Sequence, residues 1–170
     1  LYPVMMYAGN LTPSVSFMNS EFTNNGENYI ALYAHSSNTE VDNVVTINEA
    51  PIPYLAYTSL DFVKSVSFME GVEMHVTAGN RLGSYGDNTT WSINGTVTKP
   101  VNIKGKNETT AGYWNGILVG GESTGVFTYL NVSGGGYDYT GINVPFKANI
   151  NVTDTYESHL VLNDCASALN

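Results

Sequence analysis

The chain has 170 residues, of which 42% are hydrophobic and only 12% are charged, with a formal net charge of -9. This length allows one domain to bury its own core, and the negative charge excludes nucleic acid as a partner because phosphates would be repelled. The single cysteine, Cys165, excludes an intrachain disulfide, and the neutral polar composition predicts an extracellular protein.

The first predicted element is an apolar, extended run from Leu1 to Ala8. Pro3 and Gly9 exclude a helix here. An apolar strand at a chain terminus has to be paired, either within its own sheet or in a groove of a neighbouring copy. We treat residues 1–10 as this strand and residues 11–170 as the domain. In the second alternative the subunit interface consists of Leu1, Tyr2, Val4, Met5, Met6 and Tyr7.

Alternating apolar residues predict two strands between residues 60 and 76. Even-numbered positions from Leu60 to Phe68 are apolar except Lys64, and the same period continues over residues 72–76. Lys64 would face inward, which requires a bulge, a buried ion pair or, least favoured, an isopeptide bond. The intervening Glu70-Gly71 is typical of a tight hairpin.

Two further runs alternate in the second half of the chain. In the first, Val126, Leu130 and Val132 face inward, and in the second, residues 144–152, the even positions do. No stretch has a convincing helical period, no internal repeat is visible, and no run is apolar enough to span a membrane. About ten short strands separated by glycine and proline predict an all-β fold, a single β-sandwich of immunoglobulin-like or jelly-roll type.

Five N-x-S/T sequons predict N-linked glycans, and we expect no other cofactor. Two of the five asparagines lie on the predicted outward faces of strands, as a bulky sugar requires. The predicted glycosylation sites are Asn88, Asn94, Asn107, Asn131 and Asn151.

The sequence patterns that could indicate a catalytic or metal site are weak. Gly121 to Gly125 matches G-x-S-x-G, but a strand-like period follows it, whereas a nucleophile elbow opens a helix. His35, His75 and His159 lack the close spacing of metal-binding pairs. A sandwich glycosidase needs two carboxylates at a fixed separation, and the sequence identifies none. We therefore predict no enzyme activity, no catalytic residue and no metal.

The layout resembles that of the archaeal thread filaments, a family of cell-surface pili. The features in common are the apolar run at Leu1 to Ala8, the sequon-bearing strands at Asn94, Asn131 and Asn151, and the low charge. The resemblance implies a glycosylated β-sandwich subunit that binds copies of itself head to tail, each donating its N-terminal strand to the next, in adhesion or biofilm formation.

Two alternatives remain open. One is a secreted carbohydrate-binding module or lectin, because tyrosine combines an apolar face with a polar edge and suits sugar binding. The other is a viral coat or surface-layer protein. Surface glycans are the partner expected of the lectin, and a further partner of the filament subunit beside copies of itself. The tyrosines nominated for a sugar platform are Tyr85, Tyr113, Tyr129, Tyr137 and Tyr139.

Overall fold

A computed structural model describes residues 1–35, 39–136, 148–152 and 158–168. Within these ranges the chain forms strands β1 to β17 and one short 3-10 turn, Ala8–Asn10. All the strands belong to three sheets, which we call A, B and C. None of the helical structure described is long and apolar enough to cross a membrane.

The strands are short, and each sheet takes every third one after β2. Sheet A contains β1 (Val4–Tyr7), β2 (Ile30–Tyr33), β5 (Tyr54–Ala56), β8 (Glu73–Val76), β11 (Val101–Gly105), β14 (Leu130–Ser133) and β17 (Ala166–Ala168). Sheet B contains β3 (Glu40–Val41), β6 (Leu60–Phe62), β9 (Arg81–Ser84), β12 (Gly116–Val119) and β15 (Ile150–Val152). Sheet C contains β4 (Val45–Ile47), β7 (Val66–Met69), β10 (Thr90–Asn94), β13 (Thr124–Thr128) and β16 (His159–Asn163).

From β2 onward the chain winds as a coil through sheets A, B and C in turn. Each strand pairs in parallel with the strand three places further along, as β5 does with β8 and β8 with β11. This connectivity is that of a parallel β-helix, in which each coil contacts mainly its two neighbours. Successive sheet A strands from β2 begin at residues 30, 54, 73, 101, 130 and 166, so the coils have unequal lengths.

The predicted single β-sandwich is therefore wrong. A sandwich packs two sheets of largely antiparallel strands, whereas all the strand pairs described here are parallel and lie in three sheets. The predicted hairpin at Glu70-Gly71 is wrong for the same reason, because β7 belongs to sheet C and β8 to sheet A. Gly71, with φ of 75°, instead turns the chain through a corner.

Corners between sheets also explain the positions at which apolar alternation predicted the wrong face of a strand. Residues 63–65 separate β6 from β7, and Lys64 is exposed there, although Leu60 and Phe68 on either side are buried as predicted. At a corner between sheets C and A, Tyr129, with φ of 48°, separates β13 from β14 and shifts the alternation by one residue. Phe127 is consequently buried, and Val126, predicted to face inward, is not.

The core contains an aromatic cluster on the inner faces of sheets B and C. The Trp91 ring lies 5.8 Å from Phe62, 5.9 Å from Phe68 and 5.5 Å from Phe127, measured between ring centroids. All four side chains are fully buried. Edge-to-face and tilted packing of this kind stabilises a core beyond the area buried.

A column of polar residues lies at the corner between sheets A and B, directly before each sheet B strand. Ser59 donates a hydrogen bond to Asn80 Oδ1 at 3.1 Å, and the Asn115 backbone amide donates to the Asn80 carbonyl at 2.8 Å. Asn149 follows one coil later and is 3% exposed. It accepts from the Gly135 amide at 2.7 Å and donates to the Ala168 carbonyl at 2.7 Å. The column fixes this corner because it gives backbone groups of successive coils their hydrogen-bond partners.

The N-terminal segment covers the first coil. Ala8 and Leu11 are buried in the core, and the Thr46 amide of β4 donates to the Leu11 carbonyl at 3.0 Å. Asn48 Nδ2 donates to the Val15 carbonyl at 2.8 Å, which ties the following loop to the end of β4. The N-terminal segment therefore caps the first coil.

Candidate functional site

A groove runs over the outer face of sheet A, across β8, β11, β14 and β17. Its volume is about 560 Å³. Because side chains alternate along each strand, Val101 and Ile103 point into the core while Asn102 and Lys104 point out into the groove. Parallel register places equivalent side chains of successive coils side by side. The polar side chains that line it on the outer face are Glu73, Asn102, Lys104, Asn131 and Ser133.

Lys104 is held between two carboxylates. Its Nζ lies 3.0 Å from Glu73 Oε1 and 2.6 Å from Glu108 Oε1. Burial disfavours the charge on Lys104, but the hydrogen bonds to Glu108 and Glu73 outweigh it and raise the Lys104 pKa. Burial also acts against the Glu73 charge, and hydrogen bonds from His75 and Lys104 outweigh it and lower the Glu73 pKa. Both groups are thus charged at neutral pH.

His75 extends this polar network towards the N-terminal half of sheet A. Its Nε2 lies 2.8 Å from Glu73 Oε1, and its Nδ1 lies 3.0 Å from the Tyr29 hydroxyl. Burial lowers the His75 pKa, and the neighbouring Glu73 only partly opposes this effect. His75 is therefore a neutral imidazole that orients Glu73 and Tyr29.

An amide pair forms the floor of the groove next to these charges. Asn131 Nδ2 donates to Asn102 Oδ1 at 2.9 Å across neighbouring strands β14 and β11. Asn131 is exposed, and the small Ala166 and Ala168 on β17 leave the groove open on its far side. Amides offer both donors and acceptors, so this surface is suited to ligands rich in hydroxyl groups.

Tyrosines cluster on the outer side of sheet A beside β1, β2 and β5. The Tyr7 and Tyr33 rings lie 6.3 Å apart, and Tyr2 meets Tyr57 edge to face at 6.0 Å. Tyr33 and Tyr57 are 37% and 46% exposed. We call Tyr2, Tyr7, Tyr33 and Tyr57 the tyrosine patch. Lys106 links it to the groove side, because its Nζ lies 5.9 Å from the Tyr2 ring and 5.5 Å from the Tyr29 ring.

A second charged cluster lies on sheet B and has a structural role. Asp61, 4% exposed, accepts hydrogen bonds from Arg81 Nε at 2.9 Å and Nη2 at 2.8 Å, and a third from the Thr39 hydroxyl. A side chain at Gly83 would collide with Asp61. This bidentate pair fixes neighbouring strands β6 and β9 to each other.

Four of the six predicted interface residues at the N-terminus pair within their own chain. Val4 to Tyr7 form β1 and align in parallel with Ile30 to Tyr33 of β2. This arrangement is the first of the two alternatives considered for the apolar run. Met5 is 53% exposed, and Leu1 is fully exposed.

Four of the five sequon asparagines are exposed, and they lie at different places on the molecule. Asn88 lies in the turn before β10, Asn94 at the end of β10, and Asn107 just after β11. Asn131 lies in the groove as predicted on an outward face, whereas Asn151 on β15 is half-buried and donates to the Ala148 carbonyl at 3.1 Å. Glycosylation of all five remains a prediction.

The other nominated residues do not converge on one site. Ser123 is buried and donates to the Gly86 carbonyl at 3.1 Å, so its hydroxyl is not presented to solvent. His75 and His159 lie on sheets A and C. Among the described residues no three His, Cys, Asp or Glu side chains are grouped as metal ligands. Of the nominated tyrosines, Tyr85, Tyr113 and Tyr129 are half-buried, and Tyr137 and Tyr139 lie outside the described residues.

Sequence reasoning missed the groove, although a signal for it exists. The runs at residues 72–76, 101–105 and 130–134 share an apolar-polar-apolar-polar pattern. Asn102 and Asn131 are 29 residues apart, and the same interval separates Glu73 from Asn102. A search for this interval would have placed the three polar residues side by side.

No family model, curated protein or solved structure matches this chain. The groove and the tyrosine patch are the features of the described residues that point to a function.

Proposed function

We propose that the protein is an extracellular, non-catalytic adhesion protein that binds surface glycans along the outer face of sheet A. The observation that carries this proposal is the groove itself. It is open, has a volume of about 560 Å³ and is lined by amide, hydroxyl and charged side chains. Coiled repeat folds present extended surfaces of this kind to long ligands. The tyrosine patch continues the same face with rings that suit the apolar faces of sugars.

Binding is favoured over acid–base catalysis by the protonation states in the groove. A general acid or base works best with a pKa near the operating pH. The lowered Glu73 pKa and the raised Lys104 pKa move both groups away from neutrality. Their ion pairs hold them as fixed charges that orient a ligand.

A glycan array tests this proposal, with protein from a host that does not add N-glycans. Asn102→Ala combined with Asn131→Ala removes the amide pair of the groove, and Asn94→Ala, at the exposed end of β10, is the matched control. Each lost hydrogen bond costs about 0.5–1.5 kcal/mol, so the double variant should bind roughly tenfold more weakly. Binding by the control should equal that of the wild type. An array without any bound glycan, or equal binding by the double variant, contradicts the proposal.

A filament subunit is the second candidate, and the two ends of sheet A favour it. β1 and β17 are the outermost strands of this sheet and point in the same direction. A second copy would extend the sheet by setting its β1 against β17, and such a head-to-tail contact repeats without closing. In this mode β1 stays paired with β2 and adds to the sheet edge of a neighbour, whereas the resemblance implied that it fills a groove in the neighbour.

The filament proposal is tested by electron microscopy and sedimentation of concentrated protein. Met5→Lys places a charge on the exposed edge strand and should abolish assembly, since edge charges block strand addition. Val44→Lys, at an exposed corner outside the strands, is the control and should assemble normally. A wild-type protein that stays monomeric rejects this second candidate and leaves glycan binding unaffected.

A further inference from the structure

One sequon asparagine is part of the groove. Asn131 and Ser133, the first and third residues of the sequon, both line it, while the middle residue, Val132, is buried in the core. The sequon therefore lies on an extended strand with both of its recognition side chains facing out. Asn131 is exposed, as attachment of a sugar requires.

The Asn131 amide nitrogen points across the groove. Nδ2 donates to Asn102 Oδ1 at 2.9 Å, which directs it from β14 towards β11, on whose outer face Lys104 also lies. A sugar on this nitrogen would begin above the amide pair and beside Lys104. The other exposed sequons differ, because Asn88, Asn94 and Asn107 do not line the groove.

We propose that Asn131 is N-glycosylated and that its glycan fills the groove, so that modification closes the glycan-binding site to external ligands. The regulatory part of this inference rests on the proposed function. In the transfer, the anomeric carbon of a lipid-diphosphate-linked oligosaccharide forms a bond to Asn131 Nδ2. Its bond to the diphosphate oxygen breaks, the diphosphate leaves, and the nitrogen loses one proton. The remaining N–H can keep its hydrogen bond to Asn102.

The occupancy of Asn131 is measured by mass spectrometry after expression in a host that glycosylates exposed sequons. Cleavage at Glu122 separates the peptide with Asn107 from the peptide with Asn131. Modified Asn107 shows that the host is competent, and Asn131 should then also be modified. An unmodified Asn131 beside a modified Asn107 overturns the proposal.

Closure of the groove is measured by acylation of lysine amines with an N-hydroxysuccinimide ester. Lys104 lies in the groove with 25% of its side chain exposed, and Lys99, 47% exposed, lies outside it. Glycosylated wild type should label Lys104 several-fold more slowly than Ser133→Ala, which removes the sequon but keeps the Asn131 side chain. Ser133→Thr keeps the sequon and should behave as the wild type, and Lys99 should label equally in all three proteins.

The outcomes separate this inference from the proposed function. Equal Lys104 labelling with and without the glycan overturns closure of the groove, whatever the array shows. If closure is found but the unglycosylated protein binds no glycan, the proposed function fails and Asn131 modification stands. If the unglycosylated wild type binds an array glycan, the glycosylated wild type should bind it several-fold more weakly, and equal binding by the two overturns the regulatory role.

Discussion

The two ends of the coil are covered to different extents. At the N-terminal end, Ala8 and Leu11 enter the core, and the strands of the next coils are buried on their inner faces. At the C-terminal end, β16 and β17 are mostly exposed, and Val161 and Leu162 are 47% and 50% exposed. In a coil fold each turn is buried by its neighbours, so a turn whose described residues have a neighbouring coil on one side only keeps apolar side chains exposed.

This contrast means that the stability of the chain is distributed as a gradient. The coils formed by strands β5 to β13 have a neighbouring coil on each side, and they share the aromatic cluster around Trp91. The coil formed by β15, β16 and β17 has a described neighbour on one side only. The following four predictions test the gradient.

The largest expected difference is in hydrogen exchange. Amides of β8 and β11 should exchange only through global unfolding, for which domains of this size require about 5–15 kcal/mol. Amides of β16 and β17 should exchange through local opening and therefore orders of magnitude faster. Exchange measured by NMR or mass spectrometry on the intact chain checks this, and uniform protection along sheet A would contradict the gradient.

Matched leucine truncations should show the same asymmetry in equilibrium stability. Leu11→Ala removes a side chain that is 1% exposed, and it should lower the free energy of unfolding by about 2–5 kcal/mol. Leu162→Ala removes one that is 50% exposed and should cost less than about 0.5 kcal/mol. Denaturant titration of both variants measures the two costs, and equal values would show that the C-terminal coil is buried in solution.

Asn149→Ala should sharpen the contrast by loosening the C-terminal coil further. It removes the acceptor of the Gly135 amide and the donor to the Ala168 carbonyl, at about 0.5–1.5 kcal/mol for each lost hydrogen bond. The loss should appear as faster exchange in β17, with β5 unchanged. Asn163→Ala, on exposed β16, is the control and should leave exchange in β17 as in the wild type.

The smallest expected effect concerns the hydrogen bond between Tyr7 and Asp42, which ties β1 to the loop after β3 and which we call the clip. The Tyr7 hydroxyl donates to Asp42 Oδ1 at 2.6 Å, and this hydrogen bond lowers the Asp42 pKa. A depressed carboxyl pKa stabilises the fold above the unfolded value of about 3.9, and the contribution disappears as the pH falls through the folded value. The melting temperature of the wild type should therefore fall slightly more between pH 6 and pH 3 than that of Asp42→Asn, and identical shifts would rule the clip out.

The sequence predicted strand faces well because alternation is a local property. Leu60, Phe62, Val66 and Phe68 are all buried as expected, and so are Val72, Met74 and Val76. Alternation does not specify the partner of a strand, since parallel and antiparallel strands share the same period. The corner at Glu70-Gly71 therefore had the signature of a hairpin, and coils of unequal length concealed the repeat.

The site was less predictable than the strands because it forms between coils. Asn131 was correctly placed on an outward face, but its contact with Asn102 depends on the length of the intervening coil. The tyrosine patch combines Tyr2 and Tyr7 of the N-terminal run with Tyr33 and Tyr57 of later coils. Such contacts become visible only when the winding is known.

The coil connectivity also determines how the molecule would respond to tension. A pull on the C-terminal end loads the strand pairs of β15, β16 and β17 before those further along the axis, so coils should detach one at a time. The coil between the starts of β11 and β14, residues 101 and 130, would release roughly 100 Å of contour length at ~3.3–3.6 Å per residue. A protein built in this way would lengthen in steps under load while its remaining coils stayed folded.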